Sequence, residues 1–159
     1  MFGLFGSKPY LDPQLGELAR SRGYWRGRIS LEDGTRVALT LSGSRAEPDP
    51  QAVADARAFT AQYSAWRAPI EAALFEHYEP YGDSPESDDE HGAGDTTPVI
   101  SSPGQIWPHV SLVYVAVIPL GGILTTELGF TVAWDEEHTL GARFRSGKLL
   151  ELCGSVLVP

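Results

Sequence analysis

Two runs near the start of the chain alternate between apolar and polar positions. "YWRGRISL", Tyr24 to Leu31, and "RVALTLSG", Arg36 to Gly43, flank "EDGT" with its Asp33-Gly34 pair. Alternation with a period of two marks a half-buried strand, and Asp-Gly between two such runs marks a tight hairpin turn. Val37, Leu39 and Leu41 then share one face. The lead-in before Tyr24 contains Pro9 and Pro13 and reads as loose chain.

The period changes after "SRAEPDP". Asp49 is a good helix N-cap and Pro50 a good first helical residue. From there Val53, Ala56, Phe59, Tyr63, Trp66, Ile70, Leu74 and Tyr78 recur every three or four positions, the spacing of one apolar helix face. Pro69 falls inside the run, so the expectation is either one helix kinked there or a closely stacked pair, ending by Pro80. Gly82 to Gly104 has no periodicity and is rich in Gly, Pro, Ser and acid, which predicts a disordered acidic loop. Beyond Trp107 the apolar positions are β-branched and closely spaced, giving strands near 108–118, 123–134, 140–146 and 148–157. Gly121-Gly122 and Ser146-Gly147 provide tight turns. The expected layout is a single α+β domain over residues 1–159. Its order is β-β-α-β-β-β-β, an antiparallel sheet with the long helix packed on one face.

At 159 residues and 42% hydrophobic content the chain can bury a core without disulfides or metals. The longest apolar run, Val110 to Leu124, is interrupted by Pro119, Gly121 and Gly122. It falls short of the roughly 20 residues that a membrane helix needs. The start, "MFGLFGSKPY", lacks the basic region and long apolar stretch of a secretion signal. Cys153 stands alone in the apolar "LLELCGSVLV". A buried, inert thiol and a reducing cytoplasmic setting are expected. Net charge is −9, and six acidic residues fall between Gly82 and Pro98 with no basic one among them. Nucleic acid is disfavoured as a partner, because neutralising phosphates takes clustered Lys and Arg. The electrostatic complement is a basic protein.

Candidate chemistry concentrates in "WDEEH", Trp134 to His138. In a regular strand Trp134, Glu136 and His138 would face one way, with Asp135 and Glu137 facing the other. A turn between two strands could instead gather Asp135, Glu137 and His138 over a buried Trp134. One local His is short of the ligand set of a catalytic zinc site. The other histidines, His77, His91 and His109, lie on the helix, in the acidic loop and beside Pro108. The expectation is a structural motif of Trp134, Asp135, Glu137 and His138, with no catalytic, cofactor or metal role assigned to any residue. A metal-dependent or acid–base hydrolase using Asp135, Glu137 and His138 is the alternative.

"WDEEHTLGARF" resembles a signature of the DUF6985-type family of bacterial proteins, whose late strands are joined by W-D-x-E-H-G-L-G. Trp134, Asp135, Glu137, His138, Leu140 and Gly141 match, and Thr139 stands where that pattern usually has Gly. The resemblance extends as a matter of layout over about residues 24–156. It implies no established activity, but by analogy an immunity or partner-binding protein of a toxin system. Together with the charge balance, it makes a non-enzymatic acidic protein-binding domain the expected function, with a basic toxin as the concrete partner and no cofactor.

Overall fold

A computed structural model describes residues 7–82 and 97–159. Four strands precede the helix: β1 Tyr10–Asp12, β2 Gly16–Ser21, β3 Tyr24–Ser30 and β4 Arg36–Leu41. The helix α1 spans Pro50–Gly82, and four strands follow: β5 Val110–Leu120, β6 Ile123–Val132, β7 Asp135–Arg145 and β8 Lys148–Cys153. All eight strands form one sheet in sequence order.

This corrects the expected order in two respects. The lead-in is a hairpin, β1 paired with β2, and β2 continues into β3. Polar side chains hold it where apolar alternation is too short to be legible. Asp12 Oδ1 accepts the backbone N–H groups of Gln14 and Leu15 at 2.9 and 2.8 Å, closing the β1–β2 turn. Arg57 of α1 pairs with the same carboxylate, which is buried. Burial alone would raise the Asp12 carboxyl pKa. The Arg57 guanidinium and the two backbone donors outweigh that and hold it below the ordinary carboxylate value. The second correction concerns direction. β4 and β5 are parallel, Ala38 facing Tyr114 and Leu41 facing Val117, so the sheet is mixed. A single helix between two neighbouring strands carries the chain back to the end where the first strand began, and the next strand must run the same way.

The Asp33-Gly34 turn forms as its sequence implies: Gly34 has φ +87, and Asp33 Oδ1 caps the Thr35 N–H at 2.8 Å. Arg22-Gly23, Gly121-Gly122 and Ser146-Gly147 each have positive φ at both positions. That twist suits two-residue connections between antiparallel strands. Asp49 Oδ1 accepts the Gln51 N–H at 2.9 Å, capping α1 in front of Pro50. The helix runs through Pro69 as one 33-residue element. Pro69 and Ala65, whose carbonyl loses its partner, are both exposed, so water can take over the missing bond.

Between the helix and the sheet lies the main core. Val53, Ala56, Phe59, Trp66, Ile70, Leu74 and Tyr78 meet Val37, Leu39, Leu41, Val115, Val117, Leu128, Phe130, Leu140 and Phe144. Trp66 stacks on Phe144 with centroids 4.4 Å apart and planes 9° from parallel. On the opposite face, a bulge at Val113 shifts the phase of β5 and turns Tyr114, Ala116 and Ile118 away from the helix. The Tyr114 ring lies over Gly129 and its hydroxyl donates to Glu127 at 2.6 Å. Glu127 also accepts from Arg143 at 2.8 Å.

Replacing Trp66 with Ala should cost about 3–5 kcal/mol in urea denaturation, since it removes a buried indole and its stacking partner's contact. Gly129→Ala should cost about 1–3 kcal/mol, because a methyl there overlaps the Tyr114 ring. In a Tyr114→Ala background that second cost should shrink, which a double-mutant cycle measures directly.

Candidate functional site

The C-terminal turns of α1 present His77, Tyr78 and Tyr81 to the β6–β7 connection, where the sequence motif lies. Val132 pairs with Asp135 and Phe130 with Leu140. Residues 136–139 therefore oppose Thr131 alone, and β7 bulges. The chain reverses at Ala133-Trp134. Thr139 lies in β7 and is not among the positive-φ residues, so the turn does not need Gly at that position.

The bulge changes which side chains meet. Strict alternation would separate Asp135 from His138, yet His138 Nδ1 lies 3.0 Å from each oxygen of the Asp135 carboxylate. Glu137 does not join them; its side chain is exposed, as is that of Glu136. Trp134 is buried at 5% exposure, under the helix end. Its indole N–H donates to His77 Nδ1 at 3.0 Å, and its ring meets Tyr78 edge-on at 5.4 Å. Tyr81 donates its hydroxyl to Asp135 Oδ2 at 3.1 Å and stacks on His77 at 5.6 Å. The helix end and the bulge are thus joined by two bonds, Trp134 to His77 and Tyr81 to Asp135.

Tyr78 fastens a further segment. Its hydroxyl donates to the Pro98 carbonyl at 2.7 Å and accepts the Ile100 N–H at 3.0 Å, while Ile100 and Ile106 are buried. Of the acidic connection expected over 82–104, residues 83–96 lie outside the described residues. From residue 97 the chain packs against the helix end. Cys153 is half-buried, with its thiol donating to the Ser155 carbonyl at 3.4 Å.

Electrostatics follow from this geometry. Desolvation lowers the His77 pKa, with His138 pushing in the same direction and Asp135 opposing both. Neutral His77 also suits the bond, since Nδ1 must keep its lone pair to accept from Trp134. Burial would raise the Asp135 carboxyl, but the His138 contact and the Tyr81 hydroxyl outweigh it, leaving the pKa below the ordinary value. For the Tyr81 phenol, desolvation and then the Asp135 carboxylate raise the pKa. Chemically, the Asp135 contact orients the His138 ring. Among the described residues no hydroxyl or thiol is hydrogen-bonded to that ring, and no three His, Cys, Asp or Glu side chains are grouped to hold a metal ion.

In the sequence His77 and Tyr81 read as part of a group closing the helix, with Tyr81 half exposed; their link to the motif was not legible, because each lies over fifty positions from the residue it joins. The available signal was their spacing: His77, Tyr78 and Tyr81 are placed to present one face of a final helical turn. A family model for the domain of unknown function DUF6985 matches residues 14–156. The chain belongs to the DUF6985 family. The match covers both the helix end and the bulged strand, so the whole constellation lies within the DUF6985 region. No curated protein and no solved structure is significantly similar to the chain. Among the described residues, no helix is long and apolar enough to cross a membrane.

The histidine bond sets a pH dependence. A depressed folded pKa means that the unfolded chain takes up the His77 proton first. Stability should therefore fall as pH drops below the ordinary histidine value of 6.5 and through the lower folded pKa. His77→Gln keeps a carbonyl acceptor for Trp134 but does not titrate. Chemical denaturation against pH should show the variant flat in that window, retaining only the loss at lower pH where Asp12 and Asp135 protonate.

Proposed function

We propose that this domain is a non-enzymatic binding module that presents the α1 C-terminus and the β7 bulge to a basic protein, with a toxin as the concrete candidate. The observation that carries this reading is charge segregation. Between Arg67 and Arg143 the chain contains no Lys or Arg, while thirteen of its 21 acidic residues fall there. Within that span Glu76, Glu79, Glu136 and Glu137 are exposed at the helix end and the bulge, and none has an ion pair among the described residues. The remainder of the chain carries a net positive charge.

Such a surface steers a cationic partner and raises its association rate. Tyr81, 38% exposed among these carboxylates, supplies the aromatic anchor on which interfaces concentrate their energy. The rival reading, an acid–base or metal-dependent hydrolase, draws on the Asp135–His138 contact alone; Glu137, its third member, points elsewhere.

Co-expression with each protein encoded beside this chain tests the proposal. A basic neighbour should co-purify, and its association rate should fall steeply with salt. Glu136→Lys combined with Glu137→Lys should weaken the complex by about ten-fold or more without lowering Tm, and Tyr81→Ala should weaken it by a similar factor at a temperature where the variant stays folded. An affinity indifferent to salt and to both changes would sink the idea.

A further inference from the structure

A cleft of about 460 Å³ opens at the middle of α1, away from the helix end, between the β3–β4 turn and the start of β5. Leu31, Val110 and Leu112 supply its apolar surface, and Tyr63 and Trp107 its aromatic walls. Three charged residues line it, Arg67 from the helix and Glu32 and Asp33 from the turn.

The arginine is held but not neutralised. Its guanidinium lies 4.2 Å from the Trp107 ring centroid, and Trp107 is itself fixed by donating its indole N–H to Glu71 at 3.1 Å. No hydrogen bond or ion pair engages the Arg67 N–H groups among the described residues, which leaves their planar fork open. Asp33 uses Oδ1 to cap the Thr35 N–H at 2.8 Å, and no ion pair engages its carboxylate among the described residues. The Thr35 donors lower the Asp33 pKa most, with a smaller contribution from the Arg67 charge. Arg67 and Asp33 form no ion pair with each other.

An aromatic-walled cleft with a cation on the helix side and carboxylates on the turn side suits a small zwitterion with an apolar body. We propose that the cleft binds a free α-amino acid with an apolar side chain. Its carboxylate takes the Arg67 fork, its ammonium meets the turn carboxylates of Glu32 and Asp33, and its side chain lies against Val110 and Leu112. The size falls within the range of small-molecule sites. A ligand carrying only one of the two charges leaves the other facing group unpaired, so discrimination between them should be large.

Calorimetric titration of the full chain with L-phenylalanine, 3-phenylpropionate and phenethylamine tests this. L-Phenylalanine should bind about ten-fold or more tightly than either single-charge analogue. Arg67→Gln should abolish that preference over phenethylamine. Glu32→Gln combined with Asp33→Asn, which retains an acceptor for Thr35, should abolish it over 3-phenylpropionate, with both variants melting as the parent does. Absence of binding by L-phenylalanine overturns the proposal. So does equal binding of all three probes, or binding unchanged in both variants.

Discussion

One helix thirty-three residues long lies across an eight-stranded sheet, and burying its apolar stripe governs the rest of the architecture. A helix of that length spans about 50 Å at 1.5 Å per residue. It therefore reaches strands from both halves of the chain and leaves its ends and its middle in different surroundings. The buried stripe, from Val53 to Tyr78, sets which face of each strand must be apolar. It also forces β5 to lie parallel to β4, because the crossover itself is the helix. The stacking of Trp66 on Phe144 sits near the centre of this layer, where the helix midpoint meets one of the last strands.

Wherever a single local rule decided the outcome, that element could be read from the sequence. Asp49-Pro50 starts the helix and its stripe continues in phase past Pro69; Asp33-Gly34, Gly121-Gly122 and Ser146-Gly147 close turns whose backbone needs left-handed residues. β1 and β2 were hidden because their stability is supplied from a distance, by the Arg57 contact with Asp12 forty-five positions away. The parallel pairing was hidden for a different reason: period-two alternation reports which face a residue occupies and says nothing of strand direction. At the candidate site, the burial of Trp134 and the proximity of Asp135 to His138 accord with a compact motif. The bulge that brings them together breaks the alternation on which face assignments rest. Glu137 was grouped with them by adjacency, and the bulge points it to solvent.

The opposite face of the sheet contains the other polar cluster that could be taken for a site. Glu127, 4% exposed, accepts from Tyr114 and from Arg143, and Arg143 reaches on to Glu151 at 2.9 Å. Burial and the carboxylate together drive the Tyr114 phenol pKa well up, so it stays a neutral donor. Every polar atom there that is deeply buried has a partner, and Gly129 and Gly141 leave the room that the Tyr114 ring and the Glu127 carboxylate fill. A satisfied network of this kind fixes strand register, and at its centre Tyr114 and Glu127 are buried and spend their polar groups on each other and on Arg143.

The same criterion separates that network from the two surfaces along α1. At the helix end, Glu76, Glu79, Glu136 and Glu137 are exposed and have no ion pair among the described residues, which costs the free domain some self-repulsion. At the helix middle, Arg67 is oriented by Trp107 yet has no ion pair among the described residues. In both places the fold leaves electrostatic potential unspent, where the back face has neutralised it within the chain. Unneutralised charge held at fixed geometry is what recognition of an external ligand requires, since pairing it internally would have added rigidity and removed the attraction. The long helix makes this arrangement physically possible: its buried stripe stabilises the domain without help from the ion pairs that either surface forgoes.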